Sequence, residues 1–434
     1  MHVCLACYRG NPYCGGQGIY LYHLSRALAA EGVRVTVLSG PPYPDPMPWA
    51  RVERLENGLF WGREPKEFFG DIAPGRVLRP LNFLEFAATR TGYLSELAAF
   101  SFRAANLLRR LHRETPFDLI HDVETLGFGL LLARAGLNLP TVSTIHHPLR
   151  RDLEASLTRA KTLKARYYSV VFYPLIMQAL VARRIDGLIT SSKVGVEELQ
   201  AAFGVREEKV HLVYTGVDTG TFSPGPWEKR EADRILFVGN AEDRRKGIRY
   251  LLEALVMLPP QVSLRIVDQG YPHKRFAPAQ VRDLGLEDRV TFTGRLTEAE
   301  LVEEYQQTRV LILPSLFEGF GLPVAEAMAC GTPVVTTRAG SLPEVVGEDE
   351  EGGLLAPPRN PRALAEAIGR LLADDALAQD LGRRARRRAE RLFSWKRTAE
   401  NTIQVYQQLI ARRASMRTDV RVKGTSPCLT IKTS

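Results

Sequence analysis

The stretch from Arg309 to Thr337, RVLILPSLFEGFGLPVAEAMACGTPVVTT, admits few folds. Val310–Leu313 is a short apolar run that reads as a buried strand, and Pro314 ends it. Pro323 suits a first helical position, where its fixed φ is favourable and its missing N–H is not needed. Gly331 closes a short helix, and Pro333–Thr337 starts the next strand. Between strand and helix lies Glu318-Gly319-Phe320-Gly321-Leu322. The two glycines let the backbone come close to a ligand. The helix start behind them presents free N–H groups and a positive dipole end, which suits phosphate. Glu318 in the loop and Glu326 on the helix, with seven residues between them, are acceptors for hydroxyl groups. Phosphate donors with two hydroxyl acceptors describe a sugar-nucleotide site.

The same alternation runs through the chain. Strand-like runs at Val3–Cys7, Arg34–Leu38, Asp118–His121, Thr141–Ile145, Gly187–Thr190 and Val210–Tyr214 are separated by amphipathic stretches such as Ile19–Ala30 and Thr125–Ala135. A second series follows at Ile235–Gly239, Ser263–Val267, Val290–Thr293, Val310–Leu313 and Val334–Thr336. The turn-rich segment Asp218–Asp233 lies between the two series. In 434 residues this predicts an α/β protein of two doubly wound, Rossmann-like domains, with a ligand cleft at the strand ends. Residues 41–116, with Trp61, Phe68 and Phe83, are less regular and are expected to form loops and helices near an acceptor.

Charge narrows the partners. The net charge is +9, but the tail from Arg412 carries six bases against one acid, so the remainder is only weakly basic. No nucleic-acid partner is expected. Met1–Tyr8 has no basic start and reads as a first strand rather than a signal peptide. The longest uncharged run, Tyr167–Ala182, is shorter than the roughly 20 residues of a spanning helix, and Pro174 interrupts it. Cys4 and Cys7 are three apart on a strand and point to opposite faces, so they are poorly placed to share a metal. They, Cys14, Cys330 and Cys428 read as scattered thiols, in keeping with a reducing cytoplasm.

Three further motifs stand at strand ends. VGNAEDRRKG, Val238–Gly247, puts Arg245 and Lys246 after a strand, where fixed cations stabilise a departing diphosphate. CGGQG, Cys14–Gly18, is a phosphate loop or a tight turn; Leu21 stands where a dinucleotide fingerprint needs its last glycine. STIHHP, Ser143–Pro148, places His146 and His147 at the carboxyl end of a strand, to donate to a sugar hydroxyl, handle a proton or cap a turn. His121 and Asp122 end another strand and are candidates for the acceptor side. Arg150–Arg166, RRDLEASLTRAKTLKAR, is either a solvated helix face or a face resting on anionic lipid.

The Glu, Gly-Phe-Gly and second Glu pattern ahead of Gly-Thr-Pro-Val-Val resembles the donor-site signature of the retaining GT-B glycosyltransferases of family 4 (glycosyl transferases group 1). The resemblance implies two domains facing each other across a cleft. Residues 1–218 form an acceptor-side domain, 219–392 a nucleotide-sugar domain, 393–411 a helix crossing back to the first domain, and 412–434 a basic disordered tail. It implies that Gly16, Arg245, Lys246, Glu318, Gly319, Phe320, Gly321, Leu322 and Glu326 bind the donor. Glu326 is expected on the ribose, and His146 near the transferred sugar. His146, Glu318, Arg245 and Lys246 are the catalytic candidates. The family often has an arginine directly after the strand glycine; Asn240 holds that place here, which leaves open whether Arg244 or Arg245 meets the diphosphate.

The function so implied is retaining transfer of a sugar from a UDP- or GDP-sugar to a carbohydrate or lipid-linked hydroxyl, in glycolipid, envelope polysaccharide or other glycoconjugate synthesis. Neither a metal nor another cofactor is expected, and no Asp-x-Asp at a strand end offers to hold one. The expected location is the cytoplasm, with peripheral contact at the inner face of a membrane left open. A phosphorylase, a sugar-nucleotide epimerase and a non-catalytic sugar-binding protein are the alternatives.

Overall fold

The computed structural model describes residues 1–11, 16–56, 79–90, 92–268, 270, 275–348 and 350–423. The chain divides into two compact units. The first takes residues 1–190, 198–211 and those from 399 onward; the second takes 191–197 and 212–398.

The first unit runs β1 (His2–Cys7), α1 (Gly16–Ala30), β2 (Arg34–Ser39), β3 (Arg51–Arg54), α2 (Pro80–Arg90), α3 (Glu96–Glu114) and β4 (Leu119–Val123). It continues with α4 (Gly129–Leu137), β5 (Thr141–Thr144), α5 (Leu149–Arg159), α6 (Leu163–Phe172), α7 (Leu175–Arg184) and β6 (Gly187–Thr190). Then α8 (Lys193–Phe203) leads to β7 (Val210–Leu212). The sheet order is β3-β2-β1-β4-β5-β6-β7, and the pairings from β3 to β6 are parallel. β1 and β4 are buried along their whole length, because a parallel sheet wound with helices is covered on both faces. The uncharged run Tyr167–Ala182 is broken at Pro174, which separates α6 from α7. Among the described residues no helix is long and apolar enough to cross a membrane.

The second unit runs β8 (Glu231–Val238), α9 (Ile248–Met257), β9 (Ser263–Val267), α10 (Phe276–Asp283), β10 (Val290–Phe292), α11 (Glu298–Gln307) and β11 (Thr308–Leu313). It continues with α12 (Leu322–Ala329), β12 (Val334–Thr337), α13 (Leu342–Val346), β13 (Leu354–Ala356), α14 (Pro361–Ala373) and α15 (Asp375–Leu392). Its sheet is parallel, in the order β10-β9-β8-β11-β12-β13. The local signals are plain in places: Thr297 and Glu300 close a capping box at the start of α11. Ile235, Leu236 and Phe237 of β8 and Val310–Leu313 of β11 are fully buried and form the centre of the core.

By contact the compact units divide at Leu212, a little ahead of Asp218, because the segment after β7 already packs with the second core: Val217 bridges to Ser394, and Phe222 lies in that core. The last helix, α16 (Trp395–Lys423), runs well past Arg412, where a structureless tail was expected; residues 424–434 lie outside the described residues. From Ala399 this helix belongs to the first unit, where the buried Tyr406 meets His121 and Arg413 pairs with Asp186. Short β3 and β13 went unread, the first because Arg51-Val52-Glu53-Arg54 lacks an apolar run. Cys14, Trp61 and Phe68 lie outside the described residues, and Phe83 is exposed on α2.

Candidate functional site

In the second unit the strand-end loops converge on Glu318. Gly247 has φ +70° and closes the turn after β8; a Cβ there would lie 2.0 Å from the Pro314 carbonyl oxygen. That close approach ties the Arg244–Lys246 turn to the loop after β11, and the Leu316 N–H donates to the Arg245 carbonyl at 2.6 Å. Lys246 Nζ then reaches both oxygens of Glu318, at 2.7 and 3.0 Å, and the Ser315 hydroxyl donates to the same carboxylate at 2.6 Å. Glu318 is 8% exposed. A third loop holds its backbone: the Ser341 N–H and hydroxyl both donate to the Glu318 carbonyl, and that hydroxyl also reaches the Phe320 carbonyl.

Behind this loop Gly321, at φ +95°, caps α12, with proline in the first turn as expected. Glu326 on α12 is half-buried and accepts a hydrogen bond from the buried Tyr305 hydroxyl at 2.8 Å. Burial, with the Glu298 charge adding, pushes its carboxyl up to about 7, while the Tyr305 hydrogen bond works the other way. The two glutamates therefore differ: one is pre-paired with a cation, the other sits where charge is costly.

The two arginines of the same turn are both engaged. Arg245 is held by Asp243 through its backbone N–H, Nε and Nη2, and Arg244 stacks over the Phe276 ring at 5.3 Å. The structure brings Lys246 and Glu318 into contact, with Arg245 on the adjoining turn. Phe320 is 6% exposed, and its ring packs against Phe393.

The first unit holds the other candidates. His146 follows β5 and is half-buried, with the Tyr20 ring edge-on at 4.7 Å. Its backbone N–H points to Glu124 Oε1 at 3.4 Å, and its Nε2 is buried with no hydrogen-bond partner among the described residues. Burial lowers its pKa, so the ring is neutral at pH 7. His147 instead pairs with Asp152 at 3.2 Å. Gly16 opens α1, and a Cβ built there meets nothing within 4 Å among the described residues, so close packing does not explain it.

His121 and Asp122 do not line an acceptor surface as expected. They are adjacent on β4, hence on opposite faces of the sheet, and both are fully buried. His121 lies 2.5 Å from the Tyr406 hydroxyl and 2.7 Å from the Thr144 hydroxyl, and burial holds it neutral, down at about 3. Asp122 accepts from Ser143 and from the Thr125 and Leu126 N–H groups, fixing the turn after β4. Sequence reasoning missed Glu124, Tyr20, Ser315, Tyr305 and Ser341. Only contacts across the fold reveal them, and none belongs to a recognisable spacing. Among the described residues no group of three His, Cys, Asp or Glu side chains is placed to hold a metal ion. Cys4, Cys7 and Cys330 are buried free thiols.

The comparisons bear on family and fold. The family model described as Glycosyltransferase Family 4 matches residues 14–221, and that described as Glycosyl transferases group 1 matches residues 222–388. An MMP alpha-(1->4)-mannosyltransferase of Mycolicibacterium hassiacum is 38% identical over 96% of this chain and 100% of its own. A D-inositol 3-phosphate glycosyltransferase of Xylanimonas cellulosilytica is 31% identical over 93% of this chain and 94% of its own. Among solved structures, sucrose-phosphate synthase from Thermosynechococcus elongatus superposes with a TM-score of 0.73 and 28% identity, covering 95% of this chain and 100% of that one. Anabaena HepE in complex with UDP shares the fold, with a TM-score of 0.66 and 20% identity over 94% of this chain and 100% of that one.

Proposed function

The chain belongs to glycosyltransferase family 4 and has the GT-B fold, and from that premise we propose that it transfers a sugar with retention from a nucleoside-diphosphate sugar to an acceptor hydroxyl. The observation that carries the donor assignment is the Lys246–Glu318 pair at the mouth of α12. A cation and a carboxylate stand together there, ahead of a helix start whose Val324 and Ala325 N–H groups already bond the Gly321 carbonyl. Lys246 takes the diphosphate, with Arg245 beside it and the positive end of the helix behind, and Glu318 exchanges its lysine contact for sugar hydroxyls. Glu326 accepts from the ribose.

In the reaction the bond from the anomeric carbon to the phosphate oxygen breaks, and the acceptor oxygen bonds to the same face. The acceptor proton passes to the departing phosphate. No side chain is assigned as a nucleophile, which is why retention is assigned to this front-face route. Neutral His146 makes a hydrogen bond to the transferred sugar. The fixed cations supply the charge that offsets the leaving diphosphate, so neither metal nor other cofactor is required. Activity should therefore survive a chelator; loss in EDTA, restored by Mg²⁺ or Mn²⁺, counts against these roles.

The deciding experiment incubates the chain with labelled UDP-, GDP- and ADP-sugars and follows product and anomeric configuration by NMR. A mannose-bearing donor is tried first, because the 38% identical relative is a mannosyltransferase. An α-linked product from an α-linked donor supports the reading. Phosphate-dependent cleavage, isomerisation or binding alone supports a phosphorylase, an epimerase or a non-catalytic binder in its place.

One observation favours peripheral membrane contact. Helix α6 has no buried residue. Leu163, Tyr167 and Val170, 85%, 64% and 55% exposed, share one stripe, flanked by Lys164 and Arg166, while Ser169 on the other side bonds Ser156 of α5. No acid occurs from Ala155 to Ile185. That complements an anionic lipid surface. Flotation with phosphatidylglycerol vesicles, lost in Leu163→Glu/Tyr167→Glu, supports it; binding equal to that of pure phosphatidylcholine vesicles overturns it.

A further inference from the structure

Glu124 follows the last residue of β4 and has φ +63°, the left-handed region that side-chain-bearing residues seldom enter. Glycine would occupy that conformation without strain. Two other residues with such backbones, Glu350 and Arg359, lie in turns of the second unit, and Leu126 is a buried packing residue. Glu124 differs in what surrounds it. Its N–H still pairs with the Thr144 carbonyl at 2.9 Å, so the strained residue is anchored to β5 at the carboxyl end of the sheet. Its carboxylate stands by the His146 backbone, and its charge acts on Tyr8, Tyr20 and His146.

Buried polar atoms of this neighbourhood without a partner within the described residues include Asp122 Oδ1, sealed beneath the turn, and His146 Nε2 and Gln17 Oε1, the last on a side chain that also bonds Tyr8. Buried polar atoms are normally satisfied, so the last two orphans point to polar groups supplied by ligands, His146 Nε2 to the transferred sugar and Gln17 Oε1 to a second ligand. Backbone strain held at such a place is a reason to infer function from the outlier. A carboxylate accepts from hydroxyls and repels anions, so the ligand that fits is a neutral polyol.

We propose that Glu124 binds the acceptor, its carboxylate taking a hydrogen bond from a hydroxyl of a neutral sugar or cyclitol. The assignment rests on the glycosyltransferase reading but not on the donor's identity. It replaces His121 and Asp122, which the fold seals away.

The test uses the full chain with Glu124→Gly and Glu124→Gln. Glycine removes the carboxylate and the strain together, so its melting temperature should equal or exceed that of the parent. Methyl α-mannoside and myo-inositol serve as acceptor probes, by saturation-transfer NMR and, where transfer is observed, as competitors. Losing a hydrogen bond to a charged group weakens binding about tenfold or more. Both variants should therefore lose probe affinity or raise the acceptor KM by that factor, with nucleoside diphosphate affinity unchanged by calorimetry. Probe binding unchanged in Glu124→Gly overturns the proposal, as does an equal loss of nucleotide affinity, or a parent that binds neither probe. A parent that binds a probe yet transfers no sugar from any donor fails the donor reading and leaves this assignment standing.

Discussion

Glu318 and Glu326 carry the same functional group with seven residues between them, and the fold gives them opposite electrostatics. The pattern that located both could not show this, because the difference comes from Lys246 and Tyr305, distant in sequence. Glu326 has its pKa raised from an ordinary 4.5 to about 7. A raised carboxyl binds more protons folded than unfolded. Stability is then fully present below about pH 4.5 and lost as pH rises through about 7. Glu326→Gln should accordingly be more stable than the parent at pH 8, on the order of 2–3 kcal/mol at most, and the gap should close towards pH 4.5; melting curves across pH check this. Glu326→Ala should weaken donor binding about tenfold or more. For the proposed chemistry, His146→Ala should lower kcat and kcat/KM together and leave nucleoside diphosphate affinity nearly unchanged. Lys246→Ala should weaken that affinity and slow turnover, and should also cost stability, because it strips the cation from a nearly buried Glu318. Steady-state kinetics with calorimetry separate the two. Full turnover in His146→Ala would make that histidine structural.

At the scale of elements, strands were the legible part. Their apolar runs are continuous because both faces of each sheet are covered, and the runs at Gly187–Thr190 and Ser263–Val267 match strand bounds residue for residue. The turns were legible only as glycines. What each glycine is for depends on a neighbour from another loop, and Gly340 is the clearest case. At φ +56° its missing Cβ leaves room for the Glu318 backbone; a Cβ would lie 2.3 Å from that carbonyl oxygen and 2.8 Å from the N–H. Gly340→Ala should destabilise the chain by roughly 1–3 kcal/mol and lower donor affinity at the same time, since the loop carrying Glu318 must shift. Gly16→Ala, with open space around its Cβ among the described residues, should leave the melting temperature within a degree or so on steric grounds. A thermal-shift series with and without nucleoside diphosphate distinguishes the two glycines.

At the scale of the whole molecule, two sheets were expected and two are present, and the compact units divide at Leu212 and Ala399, each six or seven residues from the expected bounds of 219 and 393. Turn-rich composition around Asp218–Asp233 marked a plausible joint, but Phe222 and Val217 were already committed to the second core. The last helix runs past Arg412 because helix formers continue there without any apolar repeat, and pattern reading detects only the repeat. Its buried anchors lie earlier: Tyr406 on His121, and Leu409 close to Gly187. Deletion from Ser415 onward should therefore be tolerated, while deletion from Ala399 should unfold the first unit; circular dichroism of the two truncations checks the contrast.

That helix also bears on how this protein can be recombined. Its opening residues, Trp395–Thr398, belong to the second unit, and those from Ala399 onward to the first. A chimaera made by a single crossover near Leu212 would inherit a mismatched partner for the His121–Tyr406 contact. A double exchange, with breakpoints near Leu212 and Ala399, keeps that contact within one parent while exchanging most of the second unit.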